Sequence, residues 1–137
     1  MSLDLASRRD AALRIVEEAS AEALLYFAER ERLAVETKGP RDFVSDADRA
    51  IETMVRERLA VLFPEDGVLG EEEGGTETDR YWIVDPIDGT SNFLAGSPLW
   101  GLSLGYVVDG EPVVGAIAAP VLGETLVAAR GEGVLRN

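Results

Sequence analysis

A chain of 137 residues with a formal charge of −13, no histidine and no cysteine is long enough for one hydrophobic core but lacks the residues for several chemistries. A Ser-His-Asp triad, a cysteine nucleophile, an imidazole or thiolate zinc site and a thiol redox pair are all excluded. What remains is chemistry on carboxylates, hydroxyls, lysine, arginine, backbone amides and metal, and the acidity argues against nucleic-acid binding, which needs a basic footprint.

Charges from Asp4 to Arg14 leave no signal-peptide core, and no apolar run approaches the roughly 18 residues of a membrane span. With cysteine absent, a cytoplasmic chain is the expectation. The spacing of Leu13, Val16, Ser20, Ala23, Leu24, Phe27 and Ala28 predicts one amphipathic helix from Leu5 to about Leu33. Lys38-Gly39-Pro40-Arg41 breaks it. A second helix is predicted from Ser45, whose hydroxyl can cap the amide of Ala47 or Asp48. Its apolar stripe is Ala47, Ile51, Met54, Val55, Leu59 and Leu62, ending before Pro64.

Val68-Leu69 then reads as a short strand entering Gly70-Glu71-Glu72-Glu73-Gly74-Gly75, and Thr76 to Arg80 as a polar loop. Tyr81 to Val84 reads as a buried strand that stops at Asp85, because Pro86 cannot continue a ladder. Leu99–Val108 and Pro112–Ala119 flank Asp109-Gly110, a hairpin signal. Glu124 to Ala129 adds a strand. The order is helix, helix, then an antiparallel meander, an α+β layering of two long helices on a largely antiparallel sheet. Residues 130–137 read as a connector rich in turns. A sheet of this kind wants cover on its second face, which points to a fragment with exposed apolar surface.

Chemistry concentrates in Trp82-Ile83-Val84-Asp85-Pro86-Ile87-Asp88-Gly89-Thr90-Ser91-Asn92-Phe93. Two carboxylates, Asp85 and Asp88, arrive at a strand end beside a glycine that allows close backbone approach and a threonine hydroxyl. Such an oxygen cluster suits a hard divalent cation; a solvated Asp-rich turn is the plain alternative. Glu71 and Glu72 lie on a glycine-flanked segment, Asp48 in the first turn of the second helix, and Lys38 in the connector before it. Taken singly they read as a solvated acidic run, a helix-start residue and a surface lysine.

Together, Asp42-Phe43-Val44-Ser45-Asp46-Ala47-Asp48, Gly70-Glu71-Glu72 and the Trp82–Phe93 string resemble the inositol monophosphatase family, within the magnesium-dependent, lithium-sensitive phosphatases that include fructose-1,6-bisphosphatase. The resemblance continues from Pro98 to Asn137. It implies the N-terminal part of a layered αβαβα fold, with residues 1–137 as a single metal-binding portion and the C-terminal half absent. It further implies hydrolysis of a small phosphorylated metabolite, of the inositol-1-phosphate type, with two or three Mg2+ ions, in a homodimer without nucleic-acid or membrane partners.

By the same resemblance Glu71, Asp85 and the Ile87 carbonyl would ligate the first ion. Asp85 would bridge to a second, where Asp88 is a further ligand, and Glu72 would be an outer-shell acid. Gly89 and Thr90 would offer amides to the phosphate. Thr90, bonded to Asp48, would orient and deprotonate the attacking water with Glu71, and Lys38 matches a lysine near the phosphate or the metal water. The family's second signature, a Trp-Asp followed by small residues, does not occur in this sequence; its aspartate completes the second metal, so the 137-residue chain is expected to turn over little or nothing.

Three alternatives stand beside this. Pro98-Leu99-Trp100-Gly101 and Pro120-Val121-Leu122-Gly123-Glu124 resemble histidinol-phosphate phosphatases of the same superfamily, which also holds sugar and nucleotide bisphosphatases. A non-catalytic metal-binding or interaction remnant is the second. An aspartyl-phosphate phosphatase of the haloacid dehalogenase type is the third, but it requires acids two apart, whereas Asp85 and Asp88 are three apart. A calcium hand lacks its regular spacing altogether. Trp82, Trp100, Phe93 and Leu94 read as packing residues.

Overall fold

The computed structural model describes residues 4–33, 35–39, 42–70, 74, 75 and 78–136, with backbone only at 35–39, 42–44, 74 and 75. Helix α1 spans Leu5–Ala28 and is capped by Asp4, whose carboxylate accepts from the Ser7 amide; a 3-10 turn, Arg30–Arg32, follows it. The predicted continuous helix to Leu33 therefore ends earlier. Its buried face is Arg8, Ala11, Ala12, Ile15, Val16, Ala19 and Ala23, rotated from the predicted stripe. Leu24 and Leu25 are exposed. Alanines at four of those seven positions let the helix approach the sheet closely.

Of the predicted Lys38–Arg41 break, Lys38 and Gly39 end strand β1 (Val35–Gly39), which pairs antiparallel with β2 (Asp42–Ser45), and Pro40 and Arg41 lie outside the described residues. Helix α2 spans Asp46–Leu62. Ser45 is its cap, as predicted: Ser45 Oγ accepts from the Asp48 amide, and Asp48 Oδ2 accepts from the Ser45 amide at 2.9 Å. This reciprocal pair satisfies two orphan donors. Ala47, Ile51, Val55 and Leu59 are buried as expected, but Leu62 is exposed.

Among the described residues the main sheet has seven strands in the order β4-β3-β5-β6-β7-β8-β9. They are β3 (Gly67–Gly70), β4 (Gly74–Gly75), β5 (Arg80–Asp88), β6 (Gly101–Val108), β7 (Glu111–Ala119), β8 (Glu124–Ala129) and β9 (Val134–Arg136). The meander from β5 to β9 is antiparallel throughout. Its first hairpin turns at Asp109 and Gly110, with φ of 50° and 81°, the positive pair that a tight two-residue hairpin demands. Arg80, read as loop, begins β5, and residues 134–136, read as connector, form β9.

Two features of the sheet depart from the sequence reading. β3 pairs parallel to β5, with Gly67 opposite Tyr81 and Gly70 opposite Val84, so the sheet is mixed. The short β4 lies on the outer side of β3, and the chain passes by it before returning to run alongside β3. The second departure is β5, which continues through Pro86 to Asp88 instead of stopping at Asp85. Asp85 faces Ser103 and Asp88 faces Gly101, so Pro86 and Ile87 together oppose Leu102 alone. Proline is tolerated at such a bulge, where a ladder donor is not required.

Both helices cover one face. Ala12, Ile15, Ala47, Ile51, Trp82, Val84, Phe93, Trp100, Leu104 and Tyr106 share one core, and the tryptophans and Phe93 are packing residues as expected. The other face carries an open groove of ≈ 690 Å³ whose walls include Ile83, Asp85, Ser103, Gly105, Gly115 and Ile117. Ile83 and Ile117 are 45% and 57% exposed, the apolar surface the sequence predicts.

Tyr106 sits in the core and donates its hydroxyl to Asp66 Oδ1 at 2.9 Å. Burial, then the bond to Asp66 and its charge, push the phenol up to about 12. Unfolded tyrosine titrates near pH 10. The stabilisation is therefore complete below about pH 10 and disappears as pH rises through about 12, because the unfolded chain releases the proton first. Melting temperatures between pH 9 and 12 should fall more steeply for the wild type than for Tyr106→Phe.

Candidate active site

The bulge in β5 turns both aspartates to one side of the strand. Along a regular strand side chains alternate faces, which would put Asp85 and Asp88 on opposite sides. Burial along β5 alternates from Trp82 to Pro86, then repeats at Ile87, so Asp88 returns to the open side with Ile83 and Asp85. The spacing of three and the extra residue are thus one feature.

Beyond Asp88, Gly89 has φ 90° and ψ 45°, a left-handed conformation that favours glycine, and a Cβ there would lie 3.3 Å from the Leu99 carbonyl oxygen. The chain then enters α3 (Thr90–Ala95), where the Phe93 amide donates to the Gly89 carbonyl. The earlier first-turn amides have no acceptor within the helix. With only six residues in α3, any anion binding there depends on those amides more than on a helix dipole.

Thr90 Oγ1 lies 2.9 Å from Asp48 Oδ1 and 3.2 Å from the Ile87 carbonyl oxygen. A hydroxyl has one proton to give. The charged and nearer acceptor, Asp48, takes it. Asp48 is 1% exposed, and its other oxygen accepts from the Ser45 amide and, at 2.7 Å, from the Ser45 hydroxyl. The capping box therefore holds the carboxylate that in turn holds Thr90.

The structure thus unites Asp48, Thr90 and the Ile87 carbonyl, and places Asp85, Asp88 and Gly89 on the same stretch. Glu71 and Glu72 lie outside the described residues, as does the Lys38 side chain. Among the described residues no three acids form a cluster able to hold a metal. The donors that are described are all hard oxygens: two carboxylates and a carbonyl. Magnesium typically takes one or two protein carboxylates and keeps several waters, so this set fits it.

Sequence reasoning missed Glu52, which is wholly buried. The signal was present: an acid within the apolar stripe, four residues after Asp48. It also missed Asp66, a buried acid that precedes β3 and accepts from Arg8, Trp82 and Tyr106.

The family model described as the inositol monophosphatase family matches residues 4–137. The histidinol-phosphatase of Mycobacterium tuberculosis is 50% identical over 107 residues, covering 77% of this chain and 41% of that protein. The inositol-1-monophosphatase of Rhizobium meliloti is 43% identical over 114 residues, covering 81% of this chain and 43% of its own length. The crystal structure of the extragenic suppressor protein suhB of Bartonella henselae superposes with a TM-score of 0.92 at 33% identity, covering 96% of this chain and 52% of that one. The chain belongs to the inositol monophosphatase family. It spans about half the length of the curated relatives it matches. Among the described residues no helix is long and apolar enough to cross a membrane.

Proposed function

We propose that this chain is the metal-binding portion of a magnesium-dependent phosphomonoesterase that acts on a small phosphorylated alcohol of the inositol-1-phosphate type. The observation that carries the reading is the Thr90–Asp48 bond of 2.9 Å beside the Ile87 carbonyl and the two aspartates of β5. Because Thr90 gives its proton to Asp48, its oxygen can only accept a further hydrogen bond. A water donating one O–H to Thr90 would be oriented by that bond.

Asp85, Asp88 and the Ile87 carbonyl would hold magnesium, with Glu71 as a further ligand and Glu72 outside it. Bound there, the metal supplies a water of lowered pKa and neutralises charge on the phosphoryl oxygens. Glu71 would take the water's proton as attack proceeds, and the Gly89 and Thr90 amides would receive the phosphate oxygens. Lys38 would add positive charge on the phosphate side. We keep the expectation of a homodimer and of no nucleic-acid or membrane partner as part of this reading.

Histidinol phosphate is the second substrate reading, favoured by the higher identity to a histidinol-phosphatase. Both are tested by joining the 137 residues to the C-terminal half of the Rhizobium meliloti relative and measuring phosphate release from each ester. Release is expected to require Mg2+ and to fail in Asp85→Asn, while the 137-residue chain alone releases little. Release that persists without Mg2+, or unchanged in Asp85→Asn, would count against the reading.

A further inference from the structure

Helix α2 carries two buried acids four residues apart, Asp48 and Glu52, at 1% and 0% exposure, and residues so spaced share a helix face. Asp48 reaches Thr90, just beyond β5. Glu52 reaches the neighbouring strand. A Cβ built on Gly70 would lie 2.4 Å from Glu52 Cδ, and 2.5 and 2.6 Å from its two carboxylate oxygens. The carboxylate therefore occupies the space that any side chain at position 70 would need. Arg56, one turn along, donates from Nε to Glu52 Oε2 at 3.2 Å. Burying a carboxylate is costly unless it is paired and bonded, and here it is buried against the last residue of β3. Gly70 pairs with Val84, one residue before Asp85. One helical turn thus holds the adjoining ends of two strands: β5, which carries Asp85 and Asp88, and β3, which leads to Glu71 and Glu72.

We propose that Glu52 is a positioning residue: its carboxylate fixes the point where the chain leaves β3, as Asp48 fixes Thr90 beyond β5. Its bearing on catalysis rests on the reading of Glu71 as a metal ligand, so the test has one arm without metal. In metal-free protein, Glu52→Gln is expected to speed amide exchange in peptides covering 69–75 by about tenfold, and to leave peptides of α1 within about twofold. With Mn2+ as probe, the same variant should bind roughly 10- to 100-fold more weakly than wild type, the usual effect of losing a group that orients a ligand.

A second pair of variants reports the contact even if Glu52→Gln folds poorly. Gly70→Ala should lower the melting temperature, and adding Glu52→Ala should recover part of the loss by vacating the space. Unchanged exchange at 69–75, exchange raised equally everywhere, or no recovery in the double variant would overturn the proposal. If wild type binds no Mn2+ while Glu52→Gln still loosens 69–75, the metal reading fails and the hold of Glu52 on the strand end stands.

Discussion

Asp66→Ala is expected to lower the unfolding free energy by about 3–5 kcal/mol, the usual penalty for removing one partner of a buried charged pair. The Asp66 side chain is wholly buried against Arg8, with Arg8 Nε donating to Asp66 Oδ2 at 3.0 Å. Trp82 Nε1 donates to the same oxygen at 3.1 Å, and the Tyr106 hydroxyl donates to Oδ1 at 2.9 Å. The guanidinium lies 4.4 Å from the Phe63 ring centroid and 4.9 Å from that of Tyr106. Removing the carboxylate would leave a buried cation, an indole N–H and a phenol without this acceptor. The acid also ties α1 to β5 and β6 immediately before β3 begins, so its loss should be global. Urea unfolding checks this, with Tyr106→Phe as comparison at about 1.5–3 kcal/mol for one hydrogen bond to a charged group. A loss below about 1 kcal/mol for Asp66→Ala would show that the fold does not depend on the hub.

Thr90→Val is expected to reduce phosphate release in the chimera with the Rhizobium meliloti C-terminal half by roughly 100-fold, the scale on which misplacing a reacting group slows a reaction. Valine keeps the shape of threonine, so the stability cost should stay within the roughly 1.5–3 kcal/mol of one hydrogen bond to a buried carboxylate. The donor direction of the hydroxyl is fixed by a buried carboxylate, Asp48. Without it a water would lose the acceptor that Asp48 holds ready for it. Thr90→Ser should retain most of the activity, since the oxygen stays. Parallel rate and melting measurements separate the effects: equal rates for Val and Ser would remove Thr90 from the chemistry.

The elements legible in the sequence are those set by local chemistry. Ser45 caps α2 because its side chain competes for the orphan amides, and Asp109-Gly110 turns a hairpin because both residues tolerate positive φ. The site string was equally readable, because close backbone approach and oxygen donors demand particular residue types. What escaped depends on partners distant in sequence. The parallel pairing of β3 with β5 is decided by which edge is available, not by either strand's own pattern. Pro86 argued for a strand end, yet a bulge lets the strand absorb it and turns Asp88 to the side of Asp85. The face of α1 was misread because alanines make the close contact with the sheet. Glu52 was passed over as a polar residue on an otherwise apolar stripe, since its role depends on the missing Cβ of Gly70.

The central claim is that carboxylates from separate segments, β5 among them, converge on one divalent cation. Titration of the 137-residue chain with Mn2+, which prefers oxygen donors as magnesium does, tests it most directly through the electron paramagnetic resonance signal of the free ion. Saturable binding is predicted for the wild type, weakened roughly a hundredfold or more in Asp85→Asn and in Glu71→Gln alike. Binding of equal strength in either variant, or no saturable binding by a folded wild-type chain, would contradict the account.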